Sequence, residues 1–118
     1  MGNPPGRTGR DGRRSQRVLL AIPVVVYGRD SDNKPFQEAT VTTVVNAHGA
    51  LITLITPVHR GQKLMLTNRT TEEEQECIVA YLGRTQAGKP EVGVDFTHPA
   101  PGFWRIDFPP ADWRPMPE

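Results

Sequence analysis

Apolar and polar positions alternate with a period near two along most of the chain between residues 18 and 96. Successive side chains of an extended strand point to opposite faces, so this pattern predicts strands with one face buried and one in water. Val18–Tyr27 is rich in β-branched residues and stops at Gly28, ahead of a polar loop over Arg29–Pro35. Phe36–Val45 sets Phe36, Glu38 and Thr40 on one side against Ala39 and Val41 on the other. Ala50–Thr56 sets Leu51, Thr53 and Ile55 against Ile52 and Leu54. A short strand is expected over Lys63–Thr67, after a turn at Gly61. Gln75–Leu82 and Glu91–Phe96 follow, joined by a turn over Gly83–Pro90. Six short strands punctuated by Gly and Pro define an all-β domain, built as a closed barrel or a sandwich.

Helical character is weak by comparison. Thr70–Glu76 is acidic and is expected to form a solvated hairpin loop. Residues 99–107 allow one short helix, and Pro109, Pro110 and Pro115 forbid a long one. The C-terminal segment, 99–118, is expected to pack over one end of the β-domain as a short helix or extended clasp, anchored by Phe103, Trp104, Phe108 and Trp113. Residues 1–12 combine Gly, Pro and Arg with little that is apolar, which predicts a disordered leader. The expected division is therefore a leader over 1–12, a β-domain over 13–98 and a packing segment over 99–118.

Composition narrows the class. At 118 residues the chain has room for one domain with its own core. It has one cysteine, Cys77, so no internal disulfide is possible, and a reducing, cytoplasmic setting is expected. The apolar run Val18–Val26 follows basic residues as in a signal peptide. It is broken by Pro23, lacks a small-residue cleavage site and is far short of the roughly 20 residues that span a bilayer. Charge is unevenly spread: residues 1–17 hold five arginines against one aspartate, +4, which leaves the rest of the +1 chain at −3. A basic arm on a mildly acidic body predicts an anionic partner for the arm.

Two constellations carry candidate chemistry. Arg13-Arg14-Ser15-Gln16-Arg17 runs straight into the first strand, so its guanidinium groups are held near the domain wall. Their planar forks suit phosphate oxygens or a guanine edge, and they stack on purines. A solvated basic linker is the plainer reading. The second constellation is the turn Asn46-Ala47-His48-Gly49 between two strands. Asn46 and Gly49 tolerate positive φ, and Asn46 or His48 offers hydrogen bonds to a ligand. The plainer reading is a hairpin turn whose Asn bonds its own backbone.

The other polar residues suggest no catalysis. His48, His59 and His98 fall in separate turns, without the paired spacing of a metal site. Cys77 lies within a strand beside Ile78, as a small buried hydrophobe would. No nucleophile–base order, paired-carboxylate site or phosphate loop is recognisable, so a binding module rather than an enzyme is expected, with no cofactor. The acidic body and the few strand aromatics argue against single-stranded nucleic acid as the ligand.

Arg13-x-x-x-Arg17 ahead of a strand, a turn ending at Gly49 before another apolar strand, and Glu91-Val92-Gly93-Val94-Asp95-Phe96 together resemble the PilZ domain over Arg13 to about Phe96. Val45–Leu51 and Phe103–Pro110 resemble a small, divergent PilZ-like subgroup. The resemblance implies a six-stranded antiparallel β-barrel and a ligand, the bacterial second messenger cyclic di-GMP. It assigns Arg13, Arg14 and Arg17 to guanine edges and phosphates, and Asn46, His48 and Gly49 to a second motif, [D/N]xSxxG. Counted back from Gly49, Val44 stands at the acidic or amide position of that motif and Asn46 at the serine position. Alternatively, Asn46 supplies the amide in a turn shortened by two residues, with His48 at the serine position. The resemblance also implies a protein partner that reads the bound state, or, in members that have lost the nucleotide, an adaptor function alone.

Overall fold

The alternation read from the sequence closes into a ring. The computed structural model describes residues 17–86 and 88–106, with strands β1 (Val18–Leu19), β2 (Pro23–Arg29), β3 (Pro35–Asn46), β4 (Gly49–Thr53), β5 (Lys63–Asn68), β6 (Glu74–Gln86) and β7 (Lys89–Phe96). Hydrogen-bonded neighbours run β3-β2-β5-β6-β7-β4, and β4 pairs back onto β3, with every pairing antiparallel. The result is a closed six-stranded barrel, which leaves no long sheet edge unpaired. β1 adds to the last part of β3, through Val18↔Val45 and Leu19↔Val44.

The inward face carries Val24, Val26, Val45, Ile52, Leu54, Leu64, Leu66, Val79, Val92 and Val94, all buried, with Cys77 and Thr42 among them. β-Branched and leucine side chains fill a small barrel because they pack well on a pleated surface. One end of the barrel gathers the β3–β4 turn, the last residue of β5 and the end of β7. There Phe103 and Trp104 sit 4% and 2% exposed and complete the core. Phe103 meets Trp104 and Phe96 edge-on at centroid distances of 4.9 and 5.2 Å, a favoured aromatic arrangement. Buried Asn68 ties this plug to β5: its Nδ2 donates to the Phe103 carbonyl at 2.9 Å and its Oδ1 accepts from the Thr70 N–H at 2.9 Å.

Several boundaries differ from the sequence reading. The expected strand over Val18–Tyr27 is two strands, interrupted at Leu20–Ile22. Thr42 spans the break, donating its Oγ1–H to the Leu20 carbonyl at 2.5 Å and accepting the Ile22 N–H at 2.9 Å. The expected turn over Gly83–Pro90 is mostly strand: β6 runs on to Gln86 and β7 starts at Lys89, with Gly88 at a φ of 83° between them. β4 ends at Thr53 instead of Thr56, because the Glu38 carboxylate takes over the Ile55 and Thr56 N–H groups at 2.8 and 3.0 Å. No helix forms at 99–106. Pro99 and Pro101 lack donors, and the chain makes successive turns, Phe103 N–H to the Ala100 carbonyl and Arg105 N–H to that of Gly102. Phe103 and Trp104 do anchor this segment; Phe108 and Trp113 lie outside the described residues.

Candidate functional site

The outer wall at the plugged end of the barrel is ordered in two cross-strand rows. Asn46 pairs with Gly49 and Gly49 with Asp95, and Arg17 immediately precedes the Val18↔Val45 pair at the start of this row. Two residues along the strands, on the same face, Leu19 pairs with Val44, Val44 with Leu51, Leu51 with Gly93 and Gly93 with Tyr81. A polar row thus lies directly beside an apolar one. Between them is an open hollow of about 490 Å³ lined by Arg17, Val44, Asn46, Leu51, Tyr81 and Asp95, together with both glycines.

Two bulges create this arrangement. Register shifts between Thr42 and Val44 on β3, so Thr43 is the extra residue. Strict alternation from buried Thr42 would turn Val44 inward; the bulge turns Val44 out and Val45 in. A second shift between Val79 and Tyr81 on β6 does the same around Ala80. Tyr81 then lies outside, 50% exposed, over the Gly93 backbone. A Cβ on Gly93 would stand 3.0 Å from the Tyr81 Cβ. Bulges re-aim side chains in this way at the cost of one unpaired residue.

Gly49 has a different requirement from the one expected. Neither it nor Asn46 has positive φ; among the described residues that conformation occurs at Asn33, Gly61, Glu72, Gly88 and Arg105. What Gly49 needs is space, because an added Cβ would collide with the Val94 carbonyl oxygen. Its own carbonyl accepts the Trp104 Nε1–H at 3.2 Å, which couples the wall of the hollow to the aromatic plug.

The structure brings Arg17, Asn46 and Gly49 to one hollow. His48 does not line it; its carbonyl accepts the Phe96 N–H at 2.8 Å. Asn46 Oδ1 accepts the His48 N–H at 2.8 Å, so this side chain holds its own turn. Val44 forms part of the apolar floor and offers no polar atom. Arg13 and Arg14 lie outside the described residues. Tyr81, Glu91 and Asp95 are polar lining residues that sequence reasoning did not assign to a site. Nothing in the sequence announces the β6 bulge, whereas Asp95 is legible as outward-facing from the buried Val92 and Val94 that precede it.

A second hollow, of about 480 Å³, lies at the opposite end between the β2–β3 and β4–β5 loops. Its polar groups serve the loops themselves. Asp30 Oδ1 accepts the Asp32 and Lys34 N–H groups at 2.9 and 3.0 Å, Arg29 donates to the Asn33 carbonyl at 3.0 Å, and Gln62 Nε2 donates to the Arg29 carbonyl. By contrast, the Arg17 and Asp95 side chains make no hydrogen bond or ion pair among the described residues. Cys77 is fully buried, and burial first, then the charges of Glu76 and Asp95, push its thiol up to about 12. It is therefore a neutral core residue at physiological pH. Among the described residues no three His, Cys, Asp or Glu side chains gather as a metal site, and no helix is long and apolar enough to cross a membrane.

A closed six-stranded antiparallel barrel of this kind, with a lined hollow on its outer wall, is a PilZ-like fold. The likeness is concrete in the solved structure of the Bacillus subtilis inhibitor of motility, MotI/DgrA, a PilZ-domain protein. That structure matches this chain with a TM-score of 0.60 at 18% identity, over 81% of this chain and 47% of its own. The chain thus spans about half the length of that protein. No protein-family model matches the sequence, and no curated protein matches it.

Proposed function

We propose that the chain is a cyclic di-GMP-binding sensor and adaptor module that changes its surface on binding the dinucleotide. The observation that carries this reading is the convergence of Arg17, Asn46 and Gly49, distant in sequence, on one hollow of the outer wall. Arg17 stands at the end of the polar row, where a guanidinium meets phosphate oxygens or stacks on a purine. Arg13 and Arg14 precede it and add the charge that a doubly anionic ligand needs. The bound dinucleotide and the barrel wall around it together form the surface that a protein partner recognises. An output of that kind suits the similar solved structure, an inhibitor of motility.

A second reading keeps the barrel and the partner but drops the ligand. Two observations favour it: Val44 puts an apolar side chain at the motif's amide or acidic position, and Asn46 Oδ1 is already engaged by the His48 N–H. Calorimetric titration of the full chain with cyclic di-GMP separates the two. The sensor reading expects saturable heat that Arg13→Ala/Arg17→Ala abolishes. No heat at high-micromolar ligand contradicts it and leaves the adaptor.

A further inference from the structure

We propose that Asp95 and Tyr81 form the base-recognition half of the hollow, with Asp95 supplying the hydrogen-bond acceptor that Val44 cannot. The inference rests on the dinucleotide reading above and assigns its specificity to residues outside either motif.

A guanine presents two donors side by side on its Watson–Crick edge, and an ionised carboxylate presents two acceptors. A purine lying in the hollow has to find such an acceptor in the polar row. Arg17 only donates, Gly49 has no side chain, and Asn46 Oδ1 is committed to its own turn through the His48 N–H. Asp95 is the remaining member of that row; Glu91, the other carboxylate lining the hollow, lies four residues away along β7, beyond Gly93 and beside Gly83. Its carboxylate is exposed and makes no hydrogen bond or ion pair among the described residues, so forming a new bond breaks none in the barrel.

The apolar row supplies the face on which the base lies. Val44, Leu51 and Gly93 form its floor, and the β6 bulge sets the Tyr81 ring at its end. Gly93 adds no Cβ, so a flat ring settles between Leu51 and Tyr81. Base–aromatic contact is indifferent to base identity, because every base has a π-face. Discrimination therefore falls to Asp95. Adenine carries an acceptor where guanine has its ring N–H, so the carboxylate repels it.

Charge orients the ligand. Asp95 repels phosphate and Arg17 attracts it. The two are three strand positions apart across β1, β3, β4 and β7, roughly 14 Å at about 4.8 Å per step. A dinucleotide in the hollow thus places its phosphates towards Arg17 and a guanine edge towards Asp95.

The test is calorimetric titration of the full chain and its variants with cyclic di-GMP and, in parallel, cyclic di-AMP. Wild type is expected to bind the guanine dinucleotide and not the adenine one. Asp95→Asn keeps the size and the exposed position, and is expected to weaken binding roughly ten- to a hundredfold with an unchanged unfolding midpoint. Val44→Asp in the Asp95→Asn background restores an acceptor to the hollow, at the other motif position, and is expected to recover binding. Asp95→Asn binding as tightly as wild type overturns the assignment and leaves the dinucleotide reading intact. No binding by wild type overturns both.

Discussion

Gly49 and Gly93 shape the hollow by what they omit: at 49 a Cβ would strike the Val94 carbonyl, and at 93 it would crowd Tyr81. The polar side chains around them divide by their hydrogen bonds. Asn46 is spent on its own turn, whereas the Arg17 and Asp95 side chains have no bond among the described residues. Cys77 shows the opposite chemistry, a titratable group made inert by burial. Its folded-state value of about 12 lies above the ordinary 9.0, so the folded barrel holds the thiol proton more tightly than the unfolded chain does. Its contribution to stability is therefore complete below pH 9 and falls as pH rises from 9 towards about 12. Urea unfolding across that range is expected to show a steeper alkaline decline for wild type than for Cys77→Ala. At this scale Arg17 and Gly49 were legible in the sequence, from an arginine entering a strand and a glycine starting one. The reason for Gly49 was not legible, since close approach to a neighbouring strand is a tertiary fact. Nor was Tyr81, because alternation carried through Ala80 points it inward.

Each strand pairing follows from burial, but the irregular places are set by hydrogen bonds. Thr42 bridges the gap between β1 and β2, Glu38 ends β4, and bulges at Thr43 and Ala80 turn Val44 and Tyr81 outward. For Glu38, burial alone would raise the carboxyl's pKa. The hydrogen bonds from Ile55 and Thr56, helped by the Lys89 charge, outweigh burial and lower it instead. The C-terminal turns matter as much as any strand, because Phe103 and Trp104 seal the end at which the hollow lies. Trp104→Ala removes a buried ring and strips the Gly49 carbonyl of its donor. It is expected to destabilise the barrel by about 3–5 kcal/mol, and Trp104→Phe by about 1–2 kcal/mol, in urea unfolding followed by circular dichroism. The six-strand architecture was legible because period-two burial survives along Val24–Val26, Leu64–Leu66 and Val92–Val94. Sequence reasoning allowed a short helix or an extended clasp at 99–107 and expected a turn over 83–90. It weighed local propensity there, while plug packing and the β6–β7 ladder decided the outcome.

Taken whole, the barrel has two unlike ends. One is closed by aromatics and carries the hollow with Arg17 and Asp95 at its rim. The other carries loops whose polar groups bond one another, around Arg29, Asn33 and Gln62. The proposed ligand belongs to the first end alone, and the charge pattern agrees, since the arginine-rich sequence 1–17 ends at Arg17, which lines the hollow. Two-dimensional amide NMR of the full chain during titration with cyclic di-GMP tests this most directly. The expected result is saturable shifts concentrated at Arg17, Asn46, Gly49, Gly93 and Asp95, with Arg29, Asn33 and Gln62 unmoved. A spectrum unchanged by the nucleotide, or shifts confined to the opposite end, would contradict it.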